Sequence, residues 1–147
     1  MKGEPAIEAG ILNRINAVRA SHSLSQLRLS TSLSAAAGAH ARVLIGTGQF
    51  THSWANGRPF GEWILRFYPA RPFRSWTVGE NLVWASPALT PESAVQAWLD
   101  SPAHRHVLLT AGWRELGIAV VSATGATGVF PGDEVALAAA EFGARTR

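Results

Sequence analysis

The stretch SWTVGENLVWAS, residues 75–86, places a carboxylate and an amide in the middle of an otherwise apolar, strand-like segment. Glu80 and Asn81 follow Val78 and precede three apolar residues at positions 82–84. The whole chain carries only ten acidic side chains, so a carboxylate at this place requires an explanation. Two explanations are open. Glu80 faces a functional site, or it is buried in order to accept backbone N–H bonds.

The segments that follow this stretch predict a helix and then two strands. In LTPESAVQAWLDS, Thr90 is a typical N-cap, Pro91 suits the first helical position, and Glu92 complements the helix dipole in the first turn. ELGIAVVSAT (residues 115–124) and EVALAAAEFG (residues 134–143) are typical of strands, and the glycine-rich segment between them favours a hairpin.

The segments that precede the stretch predict helices. Apolar residues recur every three or four positions between Pro5 and Ser21, as in an amphipathic helix. An alanine-rich helix is expected at about 32–46, capped by Ser30, Thr31 or Ser32, and its small residues indicate close packing against another helix. Helices that come before strands favour an α+β fold, with helices packed on a small antiparallel sheet.

Composition excludes several classes of protein. The chain has 147 residues, enough for one domain with a core, and no cysteine, which excludes disulfides and thiolate metal sites. No apolar run reaches the length of about 18 residues that a membrane span needs. The N-terminal MKGEPAIEAG lacks the apolar core of a signal peptide, so we expect either an intracellular chain or a piece of a longer precursor.

Arginines at 66, 71 and 74 alternate with aromatic residues, a pattern that nucleic-acid or anionic-lipid surfaces share. The alternative is an aromatic loop wrapped on the core with solvated arginines. We favour the loop, because the net charge is only +3 and the other arginines are scattered. No nucleic-acid partner is expected.

The five histidines are the main candidates for chemistry, since no nucleotide-binding, zinc-protease or serine-hydrolase motif is present. His22 is expected to be solvated and His40 to be a packed or capping residue. His52 lies in a predicted loop between aromatic residues. His104 and His106 diverge by about 200° if their segment is helical, so only one of them is expected to share a site with His52.

Five short stretches occur in the order found in the CAP superfamily of cysteine-rich secretory, antigen 5 and pathogenesis-related 1 proteins, also called the SCP domain. The sequence resembles the cysteine-free bacterial members of that superfamily. The resemblance runs from about residue 8 to residue 143, and its motifs are HS at His52, GENL at 79–82, AVQAWLDSPAHR at 94–105, LGIA at 116–119 and FG at 142–143. An Asn-x-x-Arg at Asn16 and an Ala-x-x-His-Ala around His40 are similar as well.

The resemblance implies an α-β-α sandwich formed by a single domain over residues 5–145, with residues 1–4 as a linker or added segment. It also implies a central groove in which two histidines and two acids hold a divalent cation, commonly zinc. By their motifs, the first histidine is His52, the second is His104 and the first acid is Glu80, with Asn81 bonded to backbone.

The second acid departs from the family pattern. Three residues after Trp98 the chain has Ser101, whereas the acid, Asp100, stands one position early, which turns a helical side chain by about 100°. Asp100 either completes the metal site or caps the next turn. Zinc held by two histidines and one carboxylate would keep a position open for water.

Three functions follow as expectations from the resemblance. The first is a binding domain, with or without a divalent metal, whose groove takes a lipid, a sterol-like ligand or a cell-envelope component, and the groove residues would be Trp54, Asn81, Trp84 and Trp98. The second is a zinc-dependent hydrolase with Glu80 as general base. The third is a non-catalytic envelope interaction module. Binding is favoured over catalysis. An extracellular or envelope location is expected, with a cytoplasmic one as the alternative.

Overall fold

The computed structural model describes all residues from 1 to 147. The helices are α1 (Pro5–Ser21), α2 (Thr31–Thr47), α3 (Phe60–Trp63), α4 (Pro91–Asp100) and α5 (Pro102–Leu108), with a 3-10 turn at Ile64–Arg66. The strands are β1 (Lys2–Gly3), β2 (Arg28–Leu29), β3 (Ser75–Ala85), β4 (Glu115–Ala123) and β5 (Val135–Thr146). The α+β class and the predicted helices and strands are therefore confirmed.

The strands form one sheet in the order β1-β4-β5-β3, antiparallel except where the short β2 runs parallel to β4. β4 and β5 form the predicted hairpin. Residues 1–4, which the sequence analysis set outside the domain, contribute strand β1: Lys2 and Gly3 pair with Ser122 and Val121. β3 lies at the opposite edge and contains the GENL stretch.

Helices cover both faces of the sheet. Alternation along β5 directs Ala138 and Ala140 into the core with α1, α4 and α5, whereas Leu137 and Ala139 pack with α2 on the other face. The side chains of β3 alternate in the same way. This arrangement confirms the α-β-α sandwich.

Helix α2 begins at the N-cap Ser30, whose hydroxyl accepts from the N–H of Leu33, and it ends at the left-handed Gly48. Its small residues lie against strands β4 and β5, so the expected packing against another helix is wrong. The contact is close because β4 has a glycine there. A Cβ added at Gly117 would overlap the backbone of α2 at Leu33 and its neighbour.

The chain between α2 and β3 wraps over the same face as α2. Trp63, Ile64 and Tyr68 are buried there in a separate aromatic cluster, while the arginines at 66, 71 and 74 are exposed. The expected aromatic loop with solvated arginines is therefore confirmed. None of the helices is both long and apolar enough to cross a bilayer.

Candidate metal and ligand site

Glu80 occupies the middle of the edge strand β3 and faces α2, with its side chain only 1% exposed. Its two carboxylate oxygens contact two different histidines. Oε2 lies 2.6 Å from Nδ1 of His40, and Oε1 lies 2.7 Å from Nδ1 of His52. Glu80 is thus held by imidazoles rather than by backbone N–H groups, so the alternative of a carboxylate buried for backbone bonding is wrong.

His52 lies in the loop after α2 and is the exposed member of this group, with 55% of its side chain accessible. The indole of Trp63 donates to the carbonyl of His52 at 2.9 Å and fixes the backbone of the loop. Nδ1 of the ring is bonded to Glu80, and the outer nitrogen, Nε2, has no hydrogen-bond partner in the chain. The ring is thereby oriented, with one nitrogen open to solvent.

His40 projects from α2 and is fully buried. Its Nε2 lies 3.1 Å from the carbonyl oxygen of Ser53, and since a carbonyl only accepts, Nε2 carries a hydrogen. Its ring packs on the indoles of Trp54 and Trp63, with centroids 5.9 Å and 4.6 Å away. The packing expected for His40 is confirmed, but its Nδ1 also faces the carboxylate of Glu80.

Glu141 of β5 is the cross-strand partner of Glu80 and lies on the same face of the sheet, completely buried. Neither of its carboxylate oxygens accepts a hydrogen bond from an N–H or hydroxyl group, and a bond to the carboxyl of Glu80 requires a proton on one of the two acids. His40, Glu80 and Glu141 each offer one ligand atom, and these three atoms lie within 4.8 Å of one another. We call these three residues the buried triad.

Burial controls the ionisation of the triad. It raises the pKa of Glu80 to about 8. Burial and then the charge of Glu80 raise the pKa of Glu141 well above its usual value, and burial lowers the pKa of His40. Two carboxylates this close cannot both remain ionised in a low dielectric without a cation or protons between them.

His104 lies in the first turn of α5, which packs against the other face of β3. Its Nδ1 lies 2.7 Å from the hydroxyl of Ser101, and its carbonyl accepts from the side-chain amide of Asn81 at 3.0 Å. Burial and the neighbouring charge of His52 lower the pKa of His104. As expected, Asn81 bonds to backbone. His106 is exposed and takes no part.

Asp100 does not join this group. It ends α4 on the solvent side, where its Oδ1 accepts from Gln96 at 2.8 Å. No set of three ligand atoms within 4.8 Å includes Asp100. Asp100 therefore does not supply the second acid that the resemblance implies beside two histidines and Glu80. The one-residue shift relative to Trp98 leaves the carboxylate on the wrong side of the helix.

The expected groove residues are largely used inside the fold. Trp98 is buried, with its indole donating to the carbonyl of Leu82, and Asn81 is fully buried as well. Trp84 is half-buried against Phe130, and Trp54 is half-buried on the ring of His40. The chain has five surface cavities, and none of them is lined by these residues or by Glu80.

His40 and Glu141 were missed as possible functional residues. The signal for His40 was the Ala-x-x-His-Ala pattern, which places an imidazole among the alanines of the apolar face of the helix. The signal for Glu141 was a carboxylate inside the apolar strand EVALAAAEFG, the same anomaly that drew attention to Glu80.

The three ligands that the resemblance implies, His52, His104 and Glu80, do not form a set of three ligand atoms within 4.8 Å of one another. For the metal that the resemblance implies, only the two histidines remain as candidate ligands. His52 and His104 each have Nδ1 fixed by an oxygen, so each offers Nε2 as a ligand, and a carboxylate behind a ligating histidine is a common arrangement around zinc. Glu80 faces Nδ1 of His52 and so stands behind the ligand. With Asp100 turned away, such a site would keep open coordination positions.

Comparison with known proteins gives a family and a fold. The family model "CAP: Cysteine-rich secretory protein family" matches residues 12–131. An outer surface protein from Borrelia burgdorferi is similar in structure, with a TM-score of 0.73 and 20% identity, over 92% of this chain and 90% of that chain. No curated protein matches the sequence.

Two longer proteins contain a similar domain. An extracellular protein with an SCP domain from Bacillus anthracis matches 98% of this chain with a TM-score of 0.72 and 22% identity, and this chain covers 41% of it. A cysteine-rich secretory protein from Staphylococcus aureus matches 97% with a TM-score of 0.63 and 17% identity, and 39% of that chain is covered. At these identities the likeness shows the fold alone. From the family match over residues 12–131, the chain belongs to the CAP family of cysteine-rich secretory proteins, in its cysteine-free form.

Proposed function

We propose that this chain is an extracellular binding domain that holds a divalent metal ion, such as zinc, on Nε2 of His52 and of His104. The proposal rests on a feature that the two imidazole rings share. Each is fixed through Nδ1, to Glu80 Oε1 at 2.7 Å and to Ser101 Oγ at 2.7 Å, and each leaves Nε2 without a partner in the chain. Rings oriented in this way lose little freedom when they bind a metal.

The electrostatics of the site support the same function. The pKa of His104 is lowered by burial and by the proximity of His52, so His104 is neutral at pH 7 and ready to bind a metal without first losing a proton. The carboxyl group of Glu80 orients the ring of His52 through Nδ1. Imidazole nitrogen suits zinc, copper and nickel better than it suits magnesium or calcium.

Two protein ligands leave positions on the ion for a further group. An open site at the edge of the sheet, next to the exposed ring of His52, is suited to capturing a ligand or partner that brings its own donor atom. Extracellular or envelope location is part of the proposal, because the similar proteins are named as an outer surface protein and an extracellular protein.

The two alternatives have less support. Hydrolysis needs a base that reaches the metal-bound water, but Glu80 is 1% exposed and both of its oxygens are engaged by histidines. Binding of an apolar ligand in the groove lacks a cavity lined by the aromatic residues expected there.

The test is a zinc titration by calorimetry at pH 7 on the wild type, His104→Ala and His106→Ala. His106 lies on the same helix and is exposed, so its variant removes an imidazole without touching the site. The proposal expects one rapidly exchanging equivalent in the wild type and in His106→Ala. In His104→Ala it expects binding at least about 10-fold weaker, because losing a ligand costs no less than losing an outer-shell partner. Equal binding by all three proteins would refute it.

A further inference from the structure

We propose that the buried triad of His40, Glu80 and Glu141 is a second, enclosed site for a divalent cation, separate from the ion at the surface. The first observation is the ligand geometry. A nitrogen from α2 and one carboxylate oxygen each from β3 and β5 lie within 4.8 Å of one another and converge from three different elements. An imidazole with two carboxylates is a ligand set of the kind that zinc and manganese take.

The second observation is the unpartnered carboxylate. Glu141 is completely buried and accepts no hydrogen bond from any N–H or hydroxyl group of the chain. The carboxyl of Glu80 is within hydrogen-bonding reach, but that bond needs a proton on one of the two acids, which is a costly arrangement when either is ionised. The charges that act on it come from Glu80, His40 and His52, with no lysine or arginine among them. A divalent cation in the triad would supply the missing partner and balance the two carboxylates.

The third observation is the orientation of His40. Its Nε2–H donates to the carbonyl of Ser53, so Nδ1 is the nitrogen that faces the carboxylates. Histidines that bind a metal commonly donate their other N–H to a backbone carbonyl, which fixes the ring and the tautomer. The buried ring therefore has the tautomer of a ligand.

Filling the site requires only a small movement. His40 Nδ1 and Glu80 Oε2 are 2.6 Å apart, a separation that a shared proton bridges. Two ligands at about 2.1 Å from a tetrahedral ion stand about 3.4 Å apart, so the pair would open by less than about 1 Å. The cation takes the place of the protons that the buried carboxyls otherwise hold.

The triad lies directly inside the exposed His52. Glu80 spans the boundary, because Oε1 reaches the exposed ring of His52 and Oε2 reaches the interior. Trp54 and Trp63 cover the other side of His40. An enclosed ion would therefore enter during folding and leave slowly, in contrast to the rapidly exchanging ion proposed at the surface.

The test is to refold the full chain with Co²⁺, remove exchangeable metal by gel filtration, and count the retained ion by atomic emission. We expect one retained equivalent in the wild type, with the visible absorption of Co²⁺ bound to nitrogen and oxygen. Glu141→Gln should retain none. Glu115→Gln is the matched control, since it changes a carboxyl on the neighbouring strand that bonds to Tyr68 and lies outside the triad.

The surface site is distinguished by His104→Ala, which should keep the retained equivalent because His104 is not in the triad. No retained ion in the wild type, or the same retention in Glu141→Gln, would overturn the inference and leave the surface site standing. If Glu141→Gln does not fold, the ¹⁵N shift of His40 Nδ1 in the wild type decides. It should move when Zn²⁺ is present during refolding, and an unchanged shift would overturn the inference equally.

Discussion

Replacing Glu141 by glutamine should make the metal-free protein more stable, by an amount that grows with pH. In the folded chain, burial and Glu80 raise the pKa of Glu141 well above 4.5, whereas in the unfolded chain the carboxyl ionises near 4.5. Folding therefore takes up a proton at neutral pH, and stability falls as pH rises. Glutamine is the neutral isostere of the protonated carboxyl and requires no proton.

The size of the effect follows from proton linkage. One proton taken up on folding changes the free energy of unfolding by about 1.4 kcal/mol per pH unit. Between pH 5.5 and 7.5 the advantage of Glu141→Gln over the wild type should grow by up to about 3 kcal/mol, a large part of the stability of a small domain. Glu80, whose pKa is raised to about 8, also takes up a proton on folding, and because it interacts directly with Glu141 the measured difference belongs to the pair.

The assay is urea unfolding at pH 5.5, 6.5 and 7.5 with a chelator present, so that no metal replaces the proton. Glu62→Gln is the control, because Glu62 is exposed on α3 and outside the site. Its stability should run parallel to that of the wild type. If the curves for Glu141→Gln and the wild type are also parallel, Glu141 is ionised in the folded protein and the reasoning about the triad fails.

Three other substitutions have defined outcomes. Gly117→Ala should lower stability by at least about 3 kcal/mol in thermal unfolding, because its Cβ would overlap the backbone nitrogen of Ser34, and a normal melting temperature would contradict this. Arg19→Met should lower the free energy of unfolding in urea by about 2–4 kcal/mol, because the buried guanidinium donates to three carbonyls that would be left unpaired. A loss below about 1 kcal/mol would show that water replaces the guanidinium. Asp100→Asn should leave zinc affinity in calorimetry unchanged within about twofold, because Asp100 bonds to Gln96 on the surface, and a loss of about tenfold would return it to the metal site.

The helices and the hairpin could be predicted because their signals are local. A stripe of apolar residues sets α1, the N-caps Ser30 and Thr90 set the starts of α2 and α4, and alternation sets the strands. The partner of α2 could not be predicted in this way. Small residues indicate close approach, but whether to a helix or to a sheet depends on Gly117, which is far away in the chain.

The buried triad could not be predicted from the sequence, because it depends on how distant elements pair and pack. Glu80 meets Glu141 only because β3 and β5 pair in one particular register, and a shift of one residue would direct one carboxylate to the other face of the sheet. His40 joins them because α2 crosses that face. For the expected groove, burial decided the outcome: Trp98 lies on the same apolar face of α4 as Ala94 and Val95, so it packs into the core.

The opposite directions of Glu80 and Asn81 explain why two adjacent polar side chains stand in an apolar strand. Successive residues of a strand point to opposite faces, so Glu80 faces α2 and orients His52, while Asn81 faces α5 and holds the carbonyl of His104. β3 is an edge strand, so groups from its two faces can approach each other around the edge. Two consecutive side chains thus fix two histidines that come from opposite layers of the sandwich. In a central strand the same pair would orient two histidines that the sheet keeps apart, and for this reason the proposed metal site belongs at this edge.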